Sequence, residues 1–136
     1  EVPGFLPSFT AKENLQMLMD IRHHRLPEKN ELICDALKLV GLNPSSRKKV
    51  GKYSLGMKQR LGIAQAMMEQ PELLILDEPF NGLDSDGVAT IRHVIKGLRE
   101  KQATILLTSH YSEDITALCD TVTHLDGGKI TAAHSG

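Results

Sequence analysis

The residues best suited to chemistry are two adjacent carboxylates, Asp77 and Glu78, which close the run Leu73-Leu74-Ile75-Leu76 and precede Pro79. Four consecutive apolar residues are the pattern of a strand buried on both faces. Such a strand delivers its last residues to the edge where open α/β sheets bind ligands. One carboxylate there suits Mg2+, held through water because that ion dehydrates reluctantly. A second beside it suits polarising an attacking water. Taken alone, the pair is equally a solvated end to a strand. Ser54 and Gly56, in Tyr53-Ser54-Leu55-Gly56-Met57-Lys58-Gln59-Arg60-Leu61, form a second candidate. A hydroxyl and a glycine stand where a helix begins, and its free N–H groups and dipole favour a phosphate. Alone, this reads more simply as a helix cap. The third candidate is His110, at the end of Leu106-Leu107-Thr108-Ser109. An imidazole there suits a hydrogen bond to phosphate, although a lone loop histidine is more often structural.

The elements that must position these groups follow from periodicity and turn chemistry. Thr10 and Glu13 have capping-box spacing for a helix over 11–24, with Leu15, Leu18 and Met19 on one face and Leu26-Pro27 ending it. A second helix is predicted over 28–40 from Leu32, Ile33, Ala36, Leu37 and Val40, stopped by Gly41. Residues 43–56 read as a loop, followed by a helix over 57–69 that Pro71 interrupts. The pattern then alternates: a strand over 73–76, a helix over 85–101 with Val88, Ile91, Ile95 and Leu98 inward, and a second buried strand over 104–108. A short helix over 112–118 and a hairpin of 121–125 with 129–132, turning at Asp126-Gly127-Gly128, complete the chain. A helical half thus precedes an α/β half, without repeats, low complexity or a linker.

Composition narrows the function classes. Sixteen Lys and Arg nearly balance seventeen Asp and Glu among 136 residues, so no nucleic-acid partner is expected. Two Tyr, three Phe and no Trp are too few for a base-stacking platform. Cys34 and Cys119 stand singly among apolar residues and read as buried and reduced, which points to the cytosol. His23, His24, His93, His124 and His134 have no metal-ligand spacing. No apolar run approaches the ~20 residues of a spanning helix, and no signal-peptide pattern occurs, so any membrane is reached through a partner. Glu1-Val2-Pro3-Gly4 reads as the middle of a loop and suggests a piece of a longer protein.

The order of the motifs is more specific than any one of them. Ser-x-Gly before a helix, then Leu73 to Pro79, then Asn81-Gly82-Leu83-Asp84, then Ser109-His110 resembles the set of an ATP-binding cassette (ABC) ATPase: signature motif, Walker B, D-loop and switch histidine. Glu1-Val2-Pro3 and Leu6-Pro7-Ser8-Phe9-Thr10-Ala11-Lys12-Glu13-Asn14-Leu15 are similar to the segment at and after the Q-loop. The wording of the signature resembles the bacitracin- and lantibiotic-resistance branch of bacterial exporters, which often carries Glu at the Q-loop position that Glu1 fills. The resemblance implies an α/β fold, a partial P-loop NTPase (ABC ATPase) fold with a helical subdomain over 1–69 and an incomplete parallel sheet over 70–136. It implies ATP and Mg2+, with Asp77 holding Mg2+ through water, Glu78 as general base and His110 on the γ-phosphate. Ser54 and Gly56 would meet the ATP of a second ATPase subunit in a head-to-tail dimer, Asp84 would signal across that interface, and Glu1 would belong to the nucleotide site. It further implies a permease partner, a cytoplasmic place at the inner face of the membrane, and export of a peptide antibiotic or drug. The alternatives are a soluble DNA-repair or ribosome-associated ABC ATPase, and a noncatalytic interaction module.

The sequence also departs from the family pattern. The Walker A loop G-x-x-x-x-G-K-[ST] is absent: Gly51-Lys52 is followed by Tyr53 with Ser46 where a glycine is needed, and Gly128-Lys129 is followed by Ile130 with Thr123. In the signature, Tyr53, Leu55 and Met57 replace the common Leu, Gly and Gln. The chain alone is therefore expected neither to hydrolyse ATP nor to bind it tightly. The strand edge left by the missing Walker A strand is expected to drive self-association. Arg47, Lys48, Lys49, Lys52, Lys58 and Arg60, without an acid among residues 45–68, read as a solvated basic face, the alternative being a role near phosphates or a membrane subunit.

Overall fold

A computed structural model describes residues 4–22 and 28–135. Helix α1 (Ala11–Arg22) begins at the expected capping box: Glu13 N–H donates to Thr10 Oγ1 at 3.2 Å, and Thr10 N–H donates to Glu13 Oε2 at 2.6 Å. That backbone bond first, and then Lys49 3.1 Å away and the Thr10 hydroxyl, hold the Glu13 carboxyl below the usual glutamate range. The expected continuation of α1 to residue 24, its Leu26-Pro27 stop and His23-His24 lie outside the described residues, as does Glu1.

Helix α2 (Lys29–Leu39) ends as its sequence predicts. Gly41, at φ +72°, donates to Lys38 O at 2.9 Å, and Leu42 N–H reaches back to Leu37 O at 2.8 Å. This pair of bonds is the Schellman closure, completed by burial of both Leu37 and Leu42. A short 3-10 turn over Val50–Lys52, not foreseen from the sequence, precedes α3 (Leu55–Met67). It is tied down by Val50 N–H to Phe9 O and Gly51 N–H to Pro7 O, at 2.8 and 2.9 Å. Helix α3 starts two residues earlier than predicted, because Ser54 rather than Gly56 takes the N-cap position.

Strand β1 (Leu73–Asp77), helix α4 (Ser85–Glu100) and strand β2 (Thr104–Thr108) form a βαβ unit with parallel pairing from Leu73↔Thr104 to Asp77↔Thr108. Helix α5 (Ser112–Leu118) packs on α4 through the ion pair of Arg92 with the buried Asp114. Strands β3 (Thr121–Asp126) and β4 (Lys129–Ser135) form a separate antiparallel hairpin with a register shift between His124 and Leu125. The buried apolar residues make one continuous cluster that runs from Leu15 and Ile33 through Leu61 to Leu76 and Ile91.

Two expectations are corrected. Cys34 and Cys119, read as buried, are only half-buried. The apolar runs of β1 and β2 read as strands covered on both faces. In the structure Leu74 and Leu76 are buried, but Leu73, Ile75 and Leu106 are 56%, 63% and 58% exposed. Side chains alternate across a strand, and the buried core cluster takes up only the Leu74 and Leu76 side of β1.

Candidate functional site

The C-terminal ends of β1 and β2 bring three of the sequence-predicted residues together. Asp77 is the last residue of β1, and Glu78 follows at φ +46°, a left-handed conformation that costs a non-glycine residue energy and needs support from its surroundings. That support is on both sides of the residue. Its N–H meets Thr108 O at 3.2 Å and Thr108 Oγ1 at 3.0 Å, while its carbonyl accepts from Gln59 Nε2 of α3 at 3.3 Å. The Thr108 hydroxyl in turn donates to Asp77 Oδ1 at 2.5 Å. His110 Nδ1 lies 2.9 Å from Glu78 Oε2, and the Tyr111 ring packs beside the imidazole with 4.0 Å between centroids. An ionised carboxylate only accepts, so it pairs with the ring tautomer that carries its proton on Nδ1.

The second candidate is the start of α3. Ser54 caps this helix, its Oγ accepting from Met57 N–H at 3.2 Å, which leaves the hydroxyl proton for another acceptor. Ser54 and Leu55 are exposed, so the first turn is accessible to an anion. Gly56 is buried, and its need for glycine is local: a Cβ there would stand 2.5 Å from Gly82 O. Gly82, at φ +73°, lies equally close to Leu55, whose side-chain carbon would be 2.7 Å from a Cβ at Gly82. The start of α3 and the loop after β1 are thus interlocked. Two residues on, Asp84 Oδ1 caps α4 by accepting from Gly87 N–H at 2.9 Å.

The basic segment divides. Lys49 pairs with Glu13 of α1 and Arg60 reaches Gly41 O at 3.5 Å, both contacts between segments distant in sequence. Lys48 lies 5.9 Å from the centroid of the buried Tyr53 ring and 3.8 Å from Met57 Sδ, beside the α3 cap. Burial pushes the Tyr53 phenol up.

Open space flanks the carboxylates. A cleft of about 400 Å3 runs between α3 and β1, with Gln59, Ile75 and Asp77 on its walls. Another, of about 460 Å3, lies beside His110, between Leu83, Arg92 and Glu113. An exposed carboxylate at a strand end with room beside it fits a hydrated Mg2+, and the open α3 terminus fits a phosphate. Sequence reasoning missed Thr108, Gln59 and the Gly56–Gly82 contact. Thr108 carried a signal, since a hydroxyl at the end of a strand that pairs with the carboxylate strand is well placed to reach it.

A sequence model of the family described as ABC transporter matches residues 1–81. Among curated relatives, the bacitracin transport ATP-binding protein BcrA of Bacillus licheniformis is 47% identical over 131 residues, 96% of this chain and 42% of that protein. The protein of the same name from Enterococcus faecalis is 46% identical over 123 residues, 90% of this chain and 39% of its own length. The chain therefore spans about two fifths of these relatives. Among solved structures, the dimeric post-hydrolysis state of the ATP-binding cassette MJ0796 bound to ADP and Pi superposes with a TM-score of 0.85 at 22% identity, over 97% of this chain and 59% of that one. The architecture is thus part of the cassette fold, an α/β P-loop ATPase fold with a small parallel sheet. The 136-residue chain belongs to the ABC transporter family.

Proposed function

We propose that this chain is the distal part of the ATP-binding subunit of an ABC exporter whose cargo is a peptide antibiotic or drug. The observation that carries the reading is the meeting of Asp77, Glu78 and His110 at one end of β1 and β2, in hydrogen-bond contact with one another or through Thr108. Residues 1–69 act as the helical subdomain and 70–136 as part of the ATPase core. Asp77 would hold Mg2+ through water, and the ion would supply neutralisation of charge on the nucleotide's phosphates. Glu78 takes the proton of the attacking water, and His110 orients that carboxylate through Nδ1. In this reading the His110 ring also contacts the γ-phosphate. Ser54 and the α3 terminus receive the ATP of a second subunit, Asp84 links that contact to α4, and Glu1 stands at the Q-loop position.

The supporting relatives are named for bacitracin transport. Among the described residues no helix is long and apolar enough to cross a membrane. In this reading the membrane partner is a permease subunit, met at the cytoplasmic face. The phosphate-cradling loop is not in this sequence. The test uses the full-length protein. Glu78→Gln should reduce hydrolysis close to background while ATP still drives association, and adding Ser54→Arg should abolish that association. Near-normal turnover by Glu78→Gln would refute the role of Glu78.

A further inference from the structure

We propose that Thr108 is a positioning residue of the hydrolytic site, its hydroxyl setting both carboxylates from the neighbouring strand. The inference rests on the ATPase reading and extends it to a residue outside the cassette motifs. Parallel register places Thr108 opposite Asp77. A hydroxyl has one proton and two lone pairs. Here the proton goes to Asp77 Oδ1 at 2.5 Å, and a lone pair receives Glu78 N–H at 3.0 Å. A carboxylate can only accept and an amide N–H can only donate, so a single side chain serves both only if it does both. Among residues of this shape threonine does so and valine does not.

Two further observations separate positioning from packing. Thr108 is exposed, so its side chain adds little to the core. Glu78 sits in the left-handed region at φ +46°, where its N–H direction is fixed by what it bonds. Thr108 gives that N–H a side-chain acceptor in addition to the strand carbonyl at 3.2 Å. The same hydroxyl occupies one oxygen of Asp77 and so fixes the plane of the carboxylate that would face the hydrated cation. Groups that orient a metal-facing carboxylate in this way typically change metal affinity or activity by about 10–100-fold when removed.

The test compares Thr108→Val, which keeps the shape and loses the hydroxyl, with Thr108→Ser, which keeps the hydroxyl, in the full-length protein. Two quantities are read. One is Mn2+ affinity in the presence of a non-hydrolysable ATP analogue, by electron paramagnetic resonance. The other is kcat against KM for ATP at saturating Mg2+. Thr108→Val should weaken Mn2+ binding and lower kcat about tenfold or more, with KM for ATP within about twofold, and Thr108→Ser should restore both. Wild-type Mn2+ affinity and kcat in Thr108→Val would overturn the proposal. So would Thr108→Ser as impaired as Thr108→Val, because the methyl group rather than the hydroxyl would then be responsible. If Thr108→Val does not fold, Thr108→Ala against Thr108→Ser makes the same comparison. A wild-type protein without ATP hydrolysis or nucleotide-dependent Mn2+ binding overturns the ATPase reading as well, whereas an active wild type with an unchanged valine variant removes Thr108 alone.

Discussion

The helical half and the α/β half treat apolar residues differently. In α1 to α3, Leu15, Ile33, Leu37 and Leu61 are fully enclosed, and the chain's own groups close the helix ends. In β1, buried Leu74 and Leu76 alternate with Leu73 and Ile75, which are more than half exposed, and in β2 half-buried Ile105 and Leu107 flank exposed Leu106. A helix needs one covered stripe, which neighbours near in sequence provide. A parallel strand with an uninterrupted apolar run needs cover on two faces, and this chain covers one. Among the described residues, the same residue types are therefore enclosed in one region and, in β1, covered on one side only.

Four substitutions sharpen or break that contrast. The largest effect belongs to the enclosed region: Leu61→Ala removes a fully buried side chain and should cost about 3 kcal/mol in equilibrium denaturation. A cost under about 1 kcal/mol would mean that the helical core is loosely packed. Next comes the capping box. Thr10→Ala should cost about 1 kcal/mol. Glu13 adds a pH signature to the same cap. Its folded carboxyl is held down, so its stabilisation is complete above the ordinary glutamate range and disappears as pH falls through the depressed folded value. Melting temperatures of Glu13→Gln and wild type should converge in acid, and a constant gap would remove the carboxylate from the cap. The smallest effect belongs to the open face. Ile75→Ser in this 136-residue chain should change stability by no more than about 0.5 kcal/mol in equilibrium denaturation. A loss as large as that of Leu61→Ala would show Ile75 enclosed in solution and end the contrast.

The parts of the fold legible in the sequence were those governed by neighbours in the chain. Thr10 with Glu13, the Gly41 stop and the helical stripe Ile91, Ile95 and Leu98 required only local spacing, and the structure has them. Two-sided burial of β1 was misread because an apolar run specifies what a strand can bury against, not whether this chain supplies it. The α3 start was displaced because Ser54 and Gly56 both suit a helix beginning, and only the contact with Gly82 explains why the glycine lies inside the helix. In the candidate site, Asp77, Glu78 and His110 were visible as residue types on strand ends. Thr108 and Gln59 were not, because their contacts with Glu78 span thirty and nineteen positions, and only the fold brings them close.

The contact of Gly56 with Gly82 carries an evolutionary consequence. In most cores a bulkier residue at one position is accommodated by a smaller one opposite, and lineages can exchange volume across the contact. Here a Cβ at Gly56 would meet the Gly82 carbonyl oxygen, a backbone atom that no substitution makes smaller, whereas a Cβ at Gly82 would meet the Leu55 side chain. Volume can be traded between positions 55 and 82, but a larger residue at 56 has no side chain opposite whose truncation would make room. Change at position 56 would therefore leave no correlated substitution across this contact, while change at 82 would leave one at 55.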